Sequence, residues 1–336
     1  MPGAEIILMN KKAIALLSGG LDSTLAVCLV KEQGIEIEAI NFQTMFGCCK
    51  DDARRVAYDL GIRLTLLKVG DDYLKMVQKP KYGYGRGVNP CVDCRIYMFD
   101  LAKKFMEQAG ASFLISGEVL DQRPMSQKMG DFKKIESEFG LEGLILRPLS
   151  AKKLPVTKPE EAGIVDRSRL FGIQGRSRQE LLQMADRFGI KDPPSPSAGC
   201  ALTSPAFAKK VRDIFKHRPG YERWEFEILK TGRHFRLDSK IKVLIARNQN
   251  ENEYLEYLHP PRTALLSCKN FSGPHALLMG DYQPEHLQRA GALILRYAQQ
   301  PLPDRCEIQM EKEGGVDTFW AEEPATEELV QSLRIV

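Results

Sequence analysis

The chain has 336 residues, 43% of them hydrophobic and 27% charged, with a formal net charge of +4. This length accommodates two domains, and the balance is that of a soluble globular protein rather than a disordered one. No apolar run approaches the roughly 20 residues of a membrane span, and the first ten residues lack a basic start followed by a long apolar core. The eight cysteines therefore read as reduced thiols of a cytoplasmic protein, not as a disulfide framework.

In chain order, Lys12–Leu17 reads as a short buried strand that runs straight into Ser18-Gly19-Gly20-Leu21-Asp22-Ser23. A helix is expected to open at Asp22 or Ser23 and to run to Gln33. Two glycines allow a tight turn and a close approach to a ligand. The N–H groups of the turn and of the helix N-terminus would then face an anion such as pyrophosphate. This is not the GxxxxGK[ST] phosphate loop. No lysine follows the glycines; Asp22 stands there, suited to holding Mg²⁺ on released pyrophosphate. Strands at Glu36–Phe42 and Arg63–Val69 alternate with a helix at Asp51–Leu60, and glycines at 34 and 61 stop the helices. This βαβαβ rhythm predicts an α/β fold, a Rossmann-like parallel sheet with helices on both faces, which binds ligands at the carboxyl ends of its strands. Cys48 and Cys49 follow the second strand, as a sulfur entry point or a fourth ligand at that edge. Cys28 lies in an apolar helix stretch and is read as core.

Gly70–Pro90 reads as a long, functional connection. It leads to Asn89-Pro90-Cys91-Val92-Asp93-Cys94-Arg95 at the start of a helix running to Gln108. Both thiols lie in the first turn, where the helix dipole and Arg95 are expected to favour thiolate. A strand at Phe113–Ser116, an active-edge loop over Gly117–Met129, a short strand at Leu144–Leu146 and a helix at Arg178–Phe188 follow. A proline-rich stretch then precedes Cys200. Cys91, Cys94 and Cys200 are one short of a structural zinc site. They suit a [4Fe–4S] cluster with one open iron, or a persulfide donor with a resolving thiol.

After about Pro205 the pattern changes. A helix at Ala206–Phe215, strands at Trp224–Leu229, Ile241–Ala246, Ala264–Cys268 and His275–Met279, and a helix at Pro284–Gln299 predict a smaller C-terminal α+β domain. The boundaries are thus 1–204 and 205–336. Cys268 and Cys306 border strands and read as structural. Between Lys209 and Arg247 stand twelve Lys/Arg against five Asp/Glu. Such a basic segment on a near-neutral body points to a polyanion partner, RNA above all.

The Ser18–Ser23 motif resembles the signature of the PP-loop ATP pyrophosphatases. Together with Asn89–Arg95, Ile115–Gln127 and Ala198–Thr203, it is similar to the tRNA thiouridine synthases, the 2-thiouridylase-like branch of that family, over roughly residues 10 to 205. The spacing of Cys91, Cys94 and Cys200 is also similar to that of iron–sulfur tRNA-thiolating enzymes. The tail resembles an NFACT-R-like RNA-binding domain, through Gly232–Arg236, Ala246–Asn248, Asn252 and Gly273–His275. Standard 2-thiouridylases place a single Cys, not CxxC, at the first site, so the target nucleotide does not carry over. The resemblance implies ATP on Ser18, Gly19, Gly20, Asp22, Ser23, Gly117, Arg123 and Gln127, with Mg²⁺ at Asp22 and Arg147 neutralising phosphate. A nucleobase carbonyl, uridine in tRNA, would be adenylated. Sulfur carried by Cys91, Cys94 and Cys200, from a cysteine desulfurase or free sulfide, would then displace AMP. Lys209, Lys210, Arg233, His234, Arg236 and Arg247 would grip the RNA backbone. A PP-loop ligase or amidotransferase acting on a small molecule, and a non-catalytic ATP-sensing RNA-binding factor, are the alternatives.

Overall fold

The computed structural model describes residues 9–47, 52–190 and 199–335; Cys48 and Cys49 lie outside them. The chain divides into two compact units, Met1–Thr203 and Ser204–Val336.

The first unit runs β1 (Lys12–Leu16), α1 (Leu21–Lys31), β2 (Glu36–Gln43), α2 (Asp52–Asp59), β3 (Arg63–Lys68), α3 (Asp71–Gln78), α4 (Cys91–Gln108), β4 (Phe113–Ser116), α5 (Met129–Ser137), β5 (Ile145–Leu146), α6 (Lys158–Glu161) and α7 (Gln179–Arg187). Its five strands are parallel in the order β3-β2-β1-β4-β5. Successive side chains of a strand point to opposite faces, and β1 uses both. Ala13 and Ala15 pack with Ala26, Val27 and Val30 of α1 and Val56 of α2. Ile14 packs on the other face with Phe99, Ala102 and Met106 of α4 and Ile135 of α5. The small residues on the first face let α1 approach closely, and the bulk lies on the second: Phe99→Ala there would cost about 3–5 kcal/mol. The strand order reverses between β1 and β4, so the crevice at their carboxyl ends is where this architecture binds ligands.

The second unit runs α8 (Pro205–His217), α9 (Arg223–Glu227), β6 (Arg233–Arg236), β7 (Lys242–Ile245), α10 (Gln249–Leu258), β8 (Thr263–Cys268), β9 (Ala276–Met279), α11 (Pro284–Tyr297), β10 (Cys306–Lys312), β11 (Gly315–Ala321) and α12 (Glu327–Leu333). The six strands form an antiparallel sheet in the order β11-β10-β8-β9-β7-β6. Val243, Leu266 and Leu278 face Leu293 and Ile294 of α11. Leu244, Leu265 and Leu277 face Leu255 of α10 and Ile228 on the other side. None of the helices among the described residues is long and apolar enough to cross a membrane.

Two expected elements differ. Trp224–Leu229 is not a strand but α9 followed by a single 3₁₀ turn over Ile228–Lys230. A short apolar run does not separate the two states; here the Glu225 carboxylate accepts the Glu222 N–H at 2.9 Å and caps a helix. Residues 70–90 are not all loop. They begin with α3, whose Tyr73, Leu74 and Val77 are buried at helical spacing.

Candidate functional site

β1 ends at Leu16, and the turn that follows is held from the side: Asn41 Nδ2 donates to the Leu17 carbonyl at 2.8 Å. Gly19 has φ +82°, and a Cβ there would stand 2.4 Å from the Ala53 backbone nitrogen. Only glycine lets the turn lie on the first turn of α2. After β4, Gly117 makes a second close approach, since its Cβ would stand 2.5 Å from the Ser23 nitrogen. The Gly20 carbonyl accepts the Ser23 and Thr24 hydroxyls at 2.8 and 3.0 Å, and Ser18 Oγ lies 3.1 Å from Ser23 Oγ. No side chain caps the N-terminus of α1; the first N–H groups of a helix and the positive end of its dipole are an arrangement that suits an anion. Asp22 Oδ2 accepts from Gln122 Nε2 at 2.8 Å. Gln122, which sequence reasoning did not single out, thus orients the carboxylate expected to hold a cation.

The cysteines come from two segments. Cys91 and Cys94 lie in the first turn of α4. The segment bearing Cys200 runs beside that helix's approach: Ala201 N donates to Phe46 O at 3.1 Å, and Val88 N to Leu202 O at 3.0 Å. Between them stands Tyr73 of α3, 1% exposed, whose hydroxyl lies 3.4 Å from Cys94 Sγ. Burial first, and then the neighbouring Cys94, push the Tyr73 hydroxyl well above its ordinary pKa, with smaller contributions from Cys200 and Cys91. All three thiols are thus within electrostatic reach of one oxygen, which keeps its proton. Desolvation works against the expected thiolate. Burial pushes both the Cys91 and the Cys94 thiol up, outweighing Arg95 in each case. Among the described residues, no three His, Cys, Asp or Glu side chains are gathered closely enough to hold a metal as they stand.

A buried ionic chain joins the two halves of this edge. Glu118, 2% exposed, faces Arg95 Nε at 3.3 Å through one oxygen and Arg147 Nε at 3.1 Å through the other. Arg147 also pairs with Glu136 and stacks on Phe132 at 3.8 Å. It is 3% exposed, so the expectation that it neutralises a ligand phosphate is corrected: its charge is spent on two carboxylates. Gln127 is buried, with its amide oxygen lacking any hydrogen-bond partner. Arg123 sits on the same loop, exposed, within reach of the charges of Arg95, Cys91, Asp22 and Glu118.

In the second unit the six expected RNA contacts separate. Lys209 is exposed. Arg247 is half-exposed and pairs with Glu251 one helical turn on. Arg233 lies 4.3 Å over the Tyr297 ring and donates to the Ala246 carbonyl. Lys210 Nζ donates to the Leu229 carbonyl at 3.0 Å, and burial pulls its pKa down to about 8. His234 is 1% exposed, its Nε2 lies 2.8 Å from the Thr231 carbonyl, and burial drives it far below its ordinary pKa. It is a neutral interior group and reaches no phosphate. Arg236 is bound through two nitrogens to Asp213. For His234 and Arg236 the expected backbone grip is corrected: one is enclosed, the other spent.

A family model described as thiamine biosynthesis protein (ThiI) matches residues 8–158, and one described as NFACT protein RNA binding domain matches residues 232–334. The tRNA-specific 2-thiouridylase MnmA of Clostridium acetobutylicum is 35% identical over 127 residues, 32% of this chain and 36% of that protein. Its namesake from Clostridium kluyveri is 28% identical over 195 residues, 51% of this chain and 54% of that protein. The chain thus spans about half, or less, of the length of these relatives. A solved 4-thiouridine synthetase–RNA complex with bound ATP is similar at TM-score 0.38 and 22% identity, over 65% of this chain and 51% of that one. By sequence, residues 8–158 are thus similar to the ThiI family and to the tRNA-specific 2-thiouridylases, and residues 232–334 to the NFACT RNA binding domain.

Proposed function

We propose that this protein is an ATP-dependent tRNA sulfurtransferase that works in the cytoplasm. In this reading residues 1–204 activate and thiolate, and residues 205–336 hold the RNA. One observation carries it. The residues that flank Cys200 are bonded to Phe46 after β2 and to Val88 just before the Cys91–Cys94 turn, which supports a site where the three thiols meet near the glycine turn. The glycine turn suits a polyphosphate, and the close approaches at Gly19 and Gly117 leave room there for backbone but for no side chain. Asp22, held by Gln122, would take Mg²⁺ on the leaving pyrophosphate.

A uridine carbonyl oxygen attacks the α-phosphorus of ATP, and pyrophosphate leaves. A sulfur nucleophile then adds to the carbon, and the oxygen departs with AMP, leaving C=S. Delivered as a persulfide on one cysteine, the sulfur is released when a second cysteine closes a disulfide, which an external dithiol reopens. A cysteine desulfurase would load such a persulfide. Alternatively, Cys91, Cys94 and Cys200 would hold a [4Fe–4S] cluster, whose open iron supplies a site for free sulfide. Three thiols fit that group in kind. Iron content of anaerobically purified protein separates the routes: about four irons per chain mark the cluster.

Cys200→Ala is expected to abolish thiolation while ATP binding survives. Mass spectrometry of tRNA nucleosides from cells carrying the variant measures it; an undiminished thiolated nucleoside sinks the proposal.

A further inference from the structure

We infer that Arg95 and Arg123 form a second anion grip opposite the glycine turn, one that takes the α-phosphate of the nucleotide, with Glu118 aiming Arg95. The inference rests on the nucleotide reading above and adds to it the residues that tell the α-phosphate from pyrophosphate.

The geometry begins at Gly117, whose close approach to the Ser23 nitrogen sets the loop after β4 against the first turn of α1. Glu118 follows and is immobilised: it is 2% exposed, and Arg147 Nε holds one of its oxygens at 3.1 Å. Its other oxygen faces Arg95 Nε at 3.3 Å. Glu118 is the carboxylate that pairs with Arg95 among the described residues, and the contact is one of charge, since this Glu118 oxygen accepts no hydrogen bond there. Five residues beyond Glu118, Arg123 forms no ion pair among the described residues at all. Gln122 beside it holds Asp22 on the glycine turn, so Arg123 is tied to the same edge. The charges around Arg123 are those of Arg95, Cys91, Asp22 and Glu118.

Two guanidiniums brought near each other repel unless an anion sits between them. The glycine turn offers backbone dipoles and serves a pyrophosphate. It offers no positive side chain for the charge that develops at the α-phosphorus and departs on AMP. Paired arginine forks supply that charge, with the bidentate geometry that a phosphate accepts. Cys91 stands one helical turn before Arg95 on α4 and within electrostatic reach of Arg123, which puts the sulfur side of the site near the same phosphate.

Calorimetric titration of the full chain with AMP, and separately with inorganic pyrophosphate and Mg²⁺, tests this without any turnover. Arg95→Gln and Arg123→Gln should each weaken AMP binding about tenfold or more, the loss expected for one charged hydrogen-bond partner. Pyrophosphate binding should stay within about twofold, since the cradle is intact. Arg95→Lys keeps the charge without the fork and should fall between. Glu118→Gln, acting through Arg95, should weaken AMP about threefold and spare pyrophosphate, which a general loss of folding would not do. The inference fails if Arg95→Gln binds AMP like the parent protein, if AMP and pyrophosphate weaken together, or if the parent protein binds neither. Selective AMP loss in a protein that never thiolates RNA would uphold the grip and sink the proposed function instead.

Discussion

Both units bury charge, and they use it in opposite ways. In the first, Glu118, Arg95 and Arg147 form a chain that stays open at one side: among the described residues Arg95 pairs with Glu118 alone, and Arg123 with no carboxylate. In the second, Asp213, Arg236 and Lys242 close on one another beneath the sheet, with Arg218 on Glu225 nearby. There the cations serve the fold. Removing one partner of such a cluster leaves a buried charge without its counter-ion, whereas removing an open-ended cation leaves the fold and takes away a ligand contact. The excess of basic residues from Lys209 to Arg247, read from sequence as a polyanion footprint, is therefore only partly one. Arg218, Arg223, Arg236, Lys242 and Arg247 each have a carboxylate partner inside their own unit.

The sharpest way to break this contrast is Gly19→Ala. A Cβ 2.4 Å from backbone, at φ +82°, has nowhere to go. The left-handed conformation alone costs about 1–2 kcal/mol, and with the clash the total should exceed about 4 kcal/mol. Loss of nucleotide binding, with a melting transition of the first unit shifted down, is the expected result; unchanged ATP titration would show that the turn is not the cradle. Next comes Asp213→Ala, which strands Arg236 and Lys242. Breaking a buried pair costs about 3–5 kcal/mol, so denaturant unfolding of the second unit should weaken by that much while nucleotide affinity holds. If nucleotide affinity falls too, the two charge clusters are not separate in function.

The smallest effect is a pH dependence. Burial pulls Lys242 down to about 8 from its usual 10.5. Between about pH 8 and 10 the unfolded chain binds the proton that the folded one has released, so stability should rise with pH across that window. Below pH 8 both states are protonated and the burial cost is fully present. Lys242→Met should flatten the rise; thermal melts of both proteins over pH 7 to 10 measure the difference, and parallel curves would place the titration elsewhere.

Much of the fold is legible from local pattern. The β1–α1–β2–α2–β3 alternation, α4, β4, α7, α8 and α11 follow from apolar periodicity and glycine stops, because those signals lie within the element itself. α9 was misread because a short apolar run suits either state until Glu222 and Glu225 cap it. α3 was missed because a glycine-rich tail drew the whole connection toward loop, although Tyr73, Leu74 and Val77 carried a helical spacing. Tyr73, Glu118 and Gln122 escaped notice at the site for another reason. A tyrosine, a glutamate and a glutamine carry no motif of their own, and each acts through a partner far along the chain: Gln122 meets Asp22 across 100 residues, and Tyr73 meets Cys94 across 21.

Sequence by itself determined the glycine turn, the strand before it and the helix after it, since a turn of this kind needs only neighbouring residues with the right backbone freedom. It also determined that Cys91 and Cys94 share one helical turn. Tertiary structure alone decided that the Cys200 segment lies against Phe46 and Val88, that burial pushes the Cys91 and Cys94 thiols up despite Arg95, and that His234 is enclosed while Lys209 is open. The physical reason is the same in each case. Charge and reactivity depend on what surrounds a group in space, and folding gathers those surroundings from segments that no local pattern connects.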